Sequence, residues 1–282
     1  MRNRLVILSL IHLLMTSCNQ PAAVNNPYKL VWSDEFSGSS LDEEYWGYMI
    51  GNGAEYGNPG WGNSELQYYK RENVSVYDGE LHITAKKETV NEFNYTSARI
   101  RTAGKVAFKY GKIEARIKLP TENGMWPAFW MLPEDFTVYG PWPHCGEIDI
   151  MEANGGANTS SAALHYSTST GSHTYQVGGK GYGGRNNNGS IADYHIYRVI
   201  WEPEQFDFYV DNEVILTVPR RTWTTGAVSK DVNPNAPFDK GFHILLNMAV
   251  GGNYVNNVAP DLNFTEADMV VDYIRVYQYE GE

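Results

Sequence analysis

From Tyr28 onward the chain alternates short β-type runs with Gly, Asn, Pro and Asp, and nowhere sustains an apolar stripe at helical spacing over three turns. Glu80 to Ala85, Gly111 to Leu119, Ile196 to Trp201, Phe206 to Val210 and Met269 to Tyr277 show period-two alternation or β-branched and aromatic enrichment. Many short antiparallel strands without a composition break predict one all-β domain, a β-sandwich, over residues 28–282. The Gly-, Ser-, Thr- and Asn-rich stretch from Asn154 to Asn188 is interrupted by Leu164-His165-Tyr166, so it reads as strands joined by long cleft-side loops.

The first residues set the compartment. Arg2 and Arg4 precede an apolar stretch, Leu5 to Met15, that is too short to span a bilayer. It ends in Met15-Thr16-Ser17-Cys18, which resembles a bacterial lipoprotein signal: residues 1–17 are removed and Cys18 becomes the acylated first residue. An ordinary secretory signal cut nearby is the other reading, and both send the protein out of the cytoplasm. Residues 18–27 then form a short polar linker. The expected location is the outer membrane or cell surface of a Gram-negative bacterium, with the periplasmic face left open. Membrane contact is expected only through the Cys18 lipid.

Cys18 and Cys145 are the only cysteines, so lipidation leaves a mature domain without a disulfide. Core burial must hold it, which a domain of this size can do. The formal charge is −11, and removing the signal deletes Arg2 and Arg4 but no acid, leaving −13. With no Lys or Arg run to offset that surface, nucleic acid is excluded as a partner. The 20 Tyr and 8 Trp suit strand packing, and equally the apolar faces of sugar rings.

The chemistry concentrates in Gly146-Glu147-Ile148-Asp149-Ile150-Met151-Glu152. On a regular strand Glu152 shares a face with Ile148 and Ile150 and points into the core, a costly place for a charge. A β-bulge near Ile150-Met151 adds one residue, restores the phase and lines Glu147, Asp149 and Glu152 along one face. Retaining glycosidases need two carboxyl groups roughly 5–5.5 Å apart, one nucleophile and one acid/base. A central Asp can hydrogen-bond the nucleophile, and crowding of like charges raises a neighbour's pKa. A metal site or a solvated acidic edge is the competing reading of the same residues.

These residues resemble the signature of glycoside hydrolase family 16, in its laminarinase-like branch, whose bulged form is Glu-x-Asp-x-x-Glu. Further segments carry the resemblance: Gly124 to Leu132, Trp142 to Gly146, Trp61 to Tyr69, Ser97 to Ile100, Leu246 to Gly252 and Val271 to Tyr277. The resemblance implies a jelly-roll β-sandwich with a substrate cleft on the concave sheet. It implies Glu147 as nucleophile, Asp149 as its helper and Glu152 as acid/base. Trp126, Trp130 and Trp142 match positions lining the cleft, and His165 matches a histidine near the acid/base. Asn63, Glu65 and Arg99 lie in segments that contact sugar hydroxyls. Core packing competes as the role of Trp130.

No catalytic cofactor is implied. A structural calcium is, with Asp272 as the carboxylate ligand and backbone oxygens near Glu35 and Gly79, a donor set that fits calcium chemistry. The implied substrate is a β-glucan, cut internally at β-1,3 or β-1,4 bonds by a monomer. Endo-hydrolysis of galactose-containing chains, of mucin or agar type, is the alternative, and a catalytically silent carbohydrate-binding jelly roll is a further one. Gly179-Lys180-Gly181-Tyr182-Gly183-Gly184 satisfies a nucleotide fingerprint but leads into no helix, so it is set aside. His144, Cys145 and His165 have the spacing of no common zinc site.

Overall fold

A computed structural model of the chain describes residues 27–183, 189–227 and 233–280. Cys18, the signal and most of the linker lie outside the described residues. The strands in the first half are β1 (Tyr28–Asp34), β2 (Gly47–Tyr48), β3 (Gln67–Tyr69), β4 (Val74–Tyr77), β5 (Glu80–Lys86), β6 (Tyr95–Ser97), β7 (Arg99–Arg101) and β8 (Gly111–Lys118). Next come β9 (Met125–Pro133), β10 (Glu147–Asn154), β11 (Thr159–Ser167) and β12 (His173–Gly181). The last are β13 (His195–Glu202), β14 (Gln205–Val210), β15 (Glu213–Pro219), β16 (Phe242–Val250) and β17 (Glu266–Tyr279). Among the described residues helical structure is limited to 3₁₀ turns of three or four residues.

All five expected strands form, each within two or three residues of its expected bounds. The segment expected to hold strands joined by long cleft-side loops supplies β11 and β12, but the connections are short, residues 155–158 before β11 and 168–172 after it; Gly179 and Gly181 of the rejected fingerprint sit on β12. The strands make two sheets, as a jelly-roll sandwich requires. One orders β15-β14-β13-β8-β17-β5-β6-β3, with β1 on β17 and β4 on β5; the other orders β12-β11-β10-β9-β16-β7-β2. Ile83, Ile113 and Ile274 from the first sheet and Phe129, Ile148 and Leu246 from the second meet in a single core with no exposed surface. Large buried aliphatic and aromatic side chains in such a core each stabilise the fold by about 1.5–3 kcal/mol.

The hairpin joining β4 to β5 shows local chemistry setting register. Asp78 and Gly79 take φ of 54° and 78°, the consecutive positive values of a two-residue turn that matches strand twist. Gly79 is therefore explained by its turn. The one side chain expected at the calcium position, Asp272, is also engaged elsewhere. Arg116 Nη1 donates to Asp272 Oδ2 at 2.6 Å. A guanidinium in contact with the one expected carboxylate ligand already neutralises it and would repel a cation, so Asp272 as arranged here does not fit a calcium ligand.

Candidate active site

The bulge expected in β10 is present. Against β9, Asp149 pairs with Trp130 and Met151 with Phe129, leaving Ile150 as the extra residue; against β11 the register shifts between Asp149 and Glu152. Ile148, Ile150, Met151 and Ala153 all enter the main core without exposure, while Glu147 and Glu152 are half-buried on the opposite face. The added residue is thus absorbed by the core, and the three acids share the outer face of the seven-stranded sheet.

Neighbouring strands complete the site. Asp149 is only 3% exposed, and His165 Nε2, on β11 directly opposite Glu147, lies 3.2 Å from its Oδ2, an oxygen otherwise buried without a hydrogen bond. Trp126 Nε1 donates to Glu152 Oε1 at 2.9 Å and stacks on Tyr254 at 5.1 Å, so the acid/base candidate is fixed by a ring that is itself fixed. Tyr254 also donates to the Glu152 backbone carbonyl at 3.3 Å.

Burial drives all three carboxyls toward the protonated state. Glu147 is raised well above the usual carboxylate range, first by burial and then by the adjacent Asp149, with His165 and Arg99 opposing. Burial pushes Asp149 up to about 8, although a hydrogen bond with Glu147 works against it. Glu152 is pushed up to about 8 by burial and by Asp149, while His165 and the Trp126 hydrogen bond pull it down. Groups this close titrate as a unit that holds protons at neutral pH. Work as nucleophile and acid requires the charge on Glu147 and a proton on Glu152, an allocation that moving the shared proton from Glu147 onto Asp149 would serve. Glu147 is half-buried on the outer face rather than open to water.

The remaining expected residues divide. Trp142 is 46% exposed beside His165, at 6.4 Å between ring centres. Trp130 is half-buried, donates to Asn247 Oδ1 at 2.7 Å and packs into a small satellite core with Trp61 and Tyr69. Arg99 is sandwiched between the faces of Trp61 and Trp130, at 4.4 and 4.7 Å, which fixes a buried positive charge near Glu147. Glu65 is buried and accepts from Gln67 at 2.7 Å, Tyr69 at 3.1 Å and Asn63 at 3.4 Å. Asn63 and Glu65 are thus part of an internal network beneath Arg99.

Tyr254, Asn247, His173 and Tyr175 were not singled out in the sequence. Asn247 lies within a segment that bears the family resemblance, and Tyr254 two residues beyond it. His173 and Tyr175 lie where only the pairing of β11 with β12 brings them beside His165.

Residues 63–240 match the sequence profile of Glycosyl hydrolases family 16. The chain is 40% identical over 263 residues to the Glucan endo-1,3-beta-glucosidase A1 of Niallia circulans, covering 88% of this chain and 38% of that protein. It is 39% identical over 263 residues to the Beta-glucanase of Rhodothermus marinus, covering 89% of this chain and 86% of the other. The solved endo-beta-1,3-glucanase from Pyrococcus furiosus superposes with a TM-score of 0.76 at 38% identity, covering 89% of this chain and 95% of that one. With a bulged row of three carboxyls on the outer face of a β-sandwich, and with these relatives, the chain belongs to glycosyl hydrolases family 16.

Proposed function

We propose that the protein is an endo-acting β-glucan hydrolase that works with retention of anomeric configuration. The observation that carries the reading is the bulge-aligned row Glu147–Asp149–Glu152, with Trp126 on the acid/base and His165 on the central Asp. Glu147 attacks the anomeric carbon while Glu152 gives its proton to the departing glycosidic oxygen, leaving a glycosyl ester on Glu147. Glu152, now charged, takes a proton from water, which attacks the same carbon and frees Glu147. A proton on Asp149 bridging toward Glu147 spares the nucleophile a second negative charge beside it.

The relatives, a glucan endo-1,3-beta-glucosidase and a beta-glucanase, favour β-1,3 or mixed β-1,3/1,4 glucan. The acidic surface disfavours sulfated chains. Calcium stays outside the proposal, given the Arg116 contact to Asp272. Digestion of a panel of β-1,3-glucan, mixed-linkage glucan, agar-type galactan and mucin-type chains, with product sizing, tests the substrate. Internal cuts in the glucans are expected; cutting confined to galactose-containing chains, or none at all, would refute it.

The lipoprotein reading of Cys18 is part of the same proposal, since a tethered enzyme acts on polymer outside the cytoplasm. Cys18→Ala should shift the protein from the membrane fraction to the soluble one at unchanged specific activity. Continued pelleting with membranes would rule out the anchor.

A further inference from the structure

The edge strand β12 carries a feature that the catalytic chemistry does not use. Its outward positions His173, Tyr175 and Val177 are exposed, and Tyr175 stands directly opposite His165, which in turn stands opposite Glu147. Side chains directly opposite on neighbouring strands share a face, so β12 continues the catalytic face to the edge of the sheet. Four rings form a cluster there, in which His173 also stacks on Tyr175 at 5.7 Å and 18°. Trp142 lies 4.5 Å from His173, His173 stacks on His165 at 5.1 Å and 11°, and His165 stacks on Tyr175 at 5.2 Å and 25°. Trp142 and Tyr175 are 46% and 52% exposed, an uncommon investment of aromatic surface in water.

The cluster is held from behind. Gln176, on the inward side of β12, donates to the Tyr166 hydroxyl at 3.1 Å, and Lys180 pairs with Glu213 on β15 at 2.7 Å. Between them Gly178 lies so close to β15 that a Cβ would collide with the Ile215 carbonyl. His165 and His173 are further joined by a ring-nitrogen hydrogen bond of 2.9 Å. Rings fixed in this way bind with little ordering penalty.

We infer that Tyr175, exposed in the ring cluster it shares with His165, His173 and Trp142, is a stacking platform for a sugar unit of the glucan beyond the unit whose bond is cleaved. This rests on the reading of the cleft as a β-glucan site. A β-linked glucose ring offers a broad face of C–H groups, and an exposed tyrosine ring offers the matching flat apolar surface with a hydroxyl at its rim. Tyr175 contributes binding to chains long enough to reach β12, and nothing to the reacting centre.

The test uses Glu147→Gln as a non-hydrolysing parent and measures binding of β-1,3-linked glucohexaose and glucobiose by calorimetry. Adding Tyr175→Ala should weaken the hexaose about tenfold and the biose less than about twofold, while Tyr175→Phe stays within about twofold of the parent on both. Hexaose affinity untouched by Tyr175→Ala overturns the platform. So does an equal loss on both sugars accompanied by a lower melting temperature, which assigns Tyr175 to the fold. Failure of the parent to bind either glucan overturns the proposed function, and the platform with it.

Discussion

Replacing Glu147 with Ala is expected to lower turnover of β-glucan by about 10⁴-fold or more while leaving the melting temperature undiminished. Removing a group that forms the covalent intermediate eliminates the two-step route, and losses of that size follow removal of nucleophiles elsewhere. The fold should not suffer, because Glu147 is half-buried on the outer face and contributes no side chain to the core. It also sits against Asp149 with its pKa raised by burial and by that neighbour, so its loss relieves like-charge crowding. A folded variant keeping more than a tenth of wild-type rate would remove Glu147 from the nucleophile's role.

Asp149→Asn is expected to stabilise the protein increasingly as pH rises. The sign follows from the direction of the shift. Burial raises Asp149 from its ordinary 3.8 to about 8, so between those values the folded state holds a proton that the unfolded state releases. The stability this group contributes is present at low pH and is lost as pH climbs toward 8. The amide carries no charge to bury at any pH. The variant should melt close to wild type near pH 4 and about 5 °C higher near pH 8, the equivalent of about 2 kcal/mol for a domain of this size. Activity should fall in the same variant, the usual opposition between a strained site and a stable fold. A melting difference that is flat from pH 4 to 8 would show that Asp149 is ionised throughout.

The same acids show how far the sequence could be read. Three carboxylates interleaved with Ile, Ile and Met cannot all avoid the core under strict alternation, so the bulge follows from the cost of burying Glu152, and β10 has it between Asp149 and Met151. The five expected strands were legible because each alternates in period two or is rich in β-branched and aromatic residues, with turn residues such as Gly79 between strands. What stayed hidden depends on partners distant in sequence. That Trp61 and Trp130 cover the two faces of Arg99 cannot be read from its own segment. Asp272 reads as a metal ligand until Arg116 is found on it, and nothing local announces that pairing. Tyr175 is one of 20 tyrosines until the β11–β12 register sets it beside His165.

Glu147 and Glu152 as a nucleophile and acid/base pair can be tested on the first molecules of product. Proton NMR during the opening minutes of β-glucan digestion, before mutarotation, reads the anomeric configuration at the new reducing end. Two successive displacements at one carbon predict that the β-anomer appears first and the α-anomer grows in later. An α-anomer appearing first would contradict the account, because it requires a single attack by water activated by an acid that lies farther away.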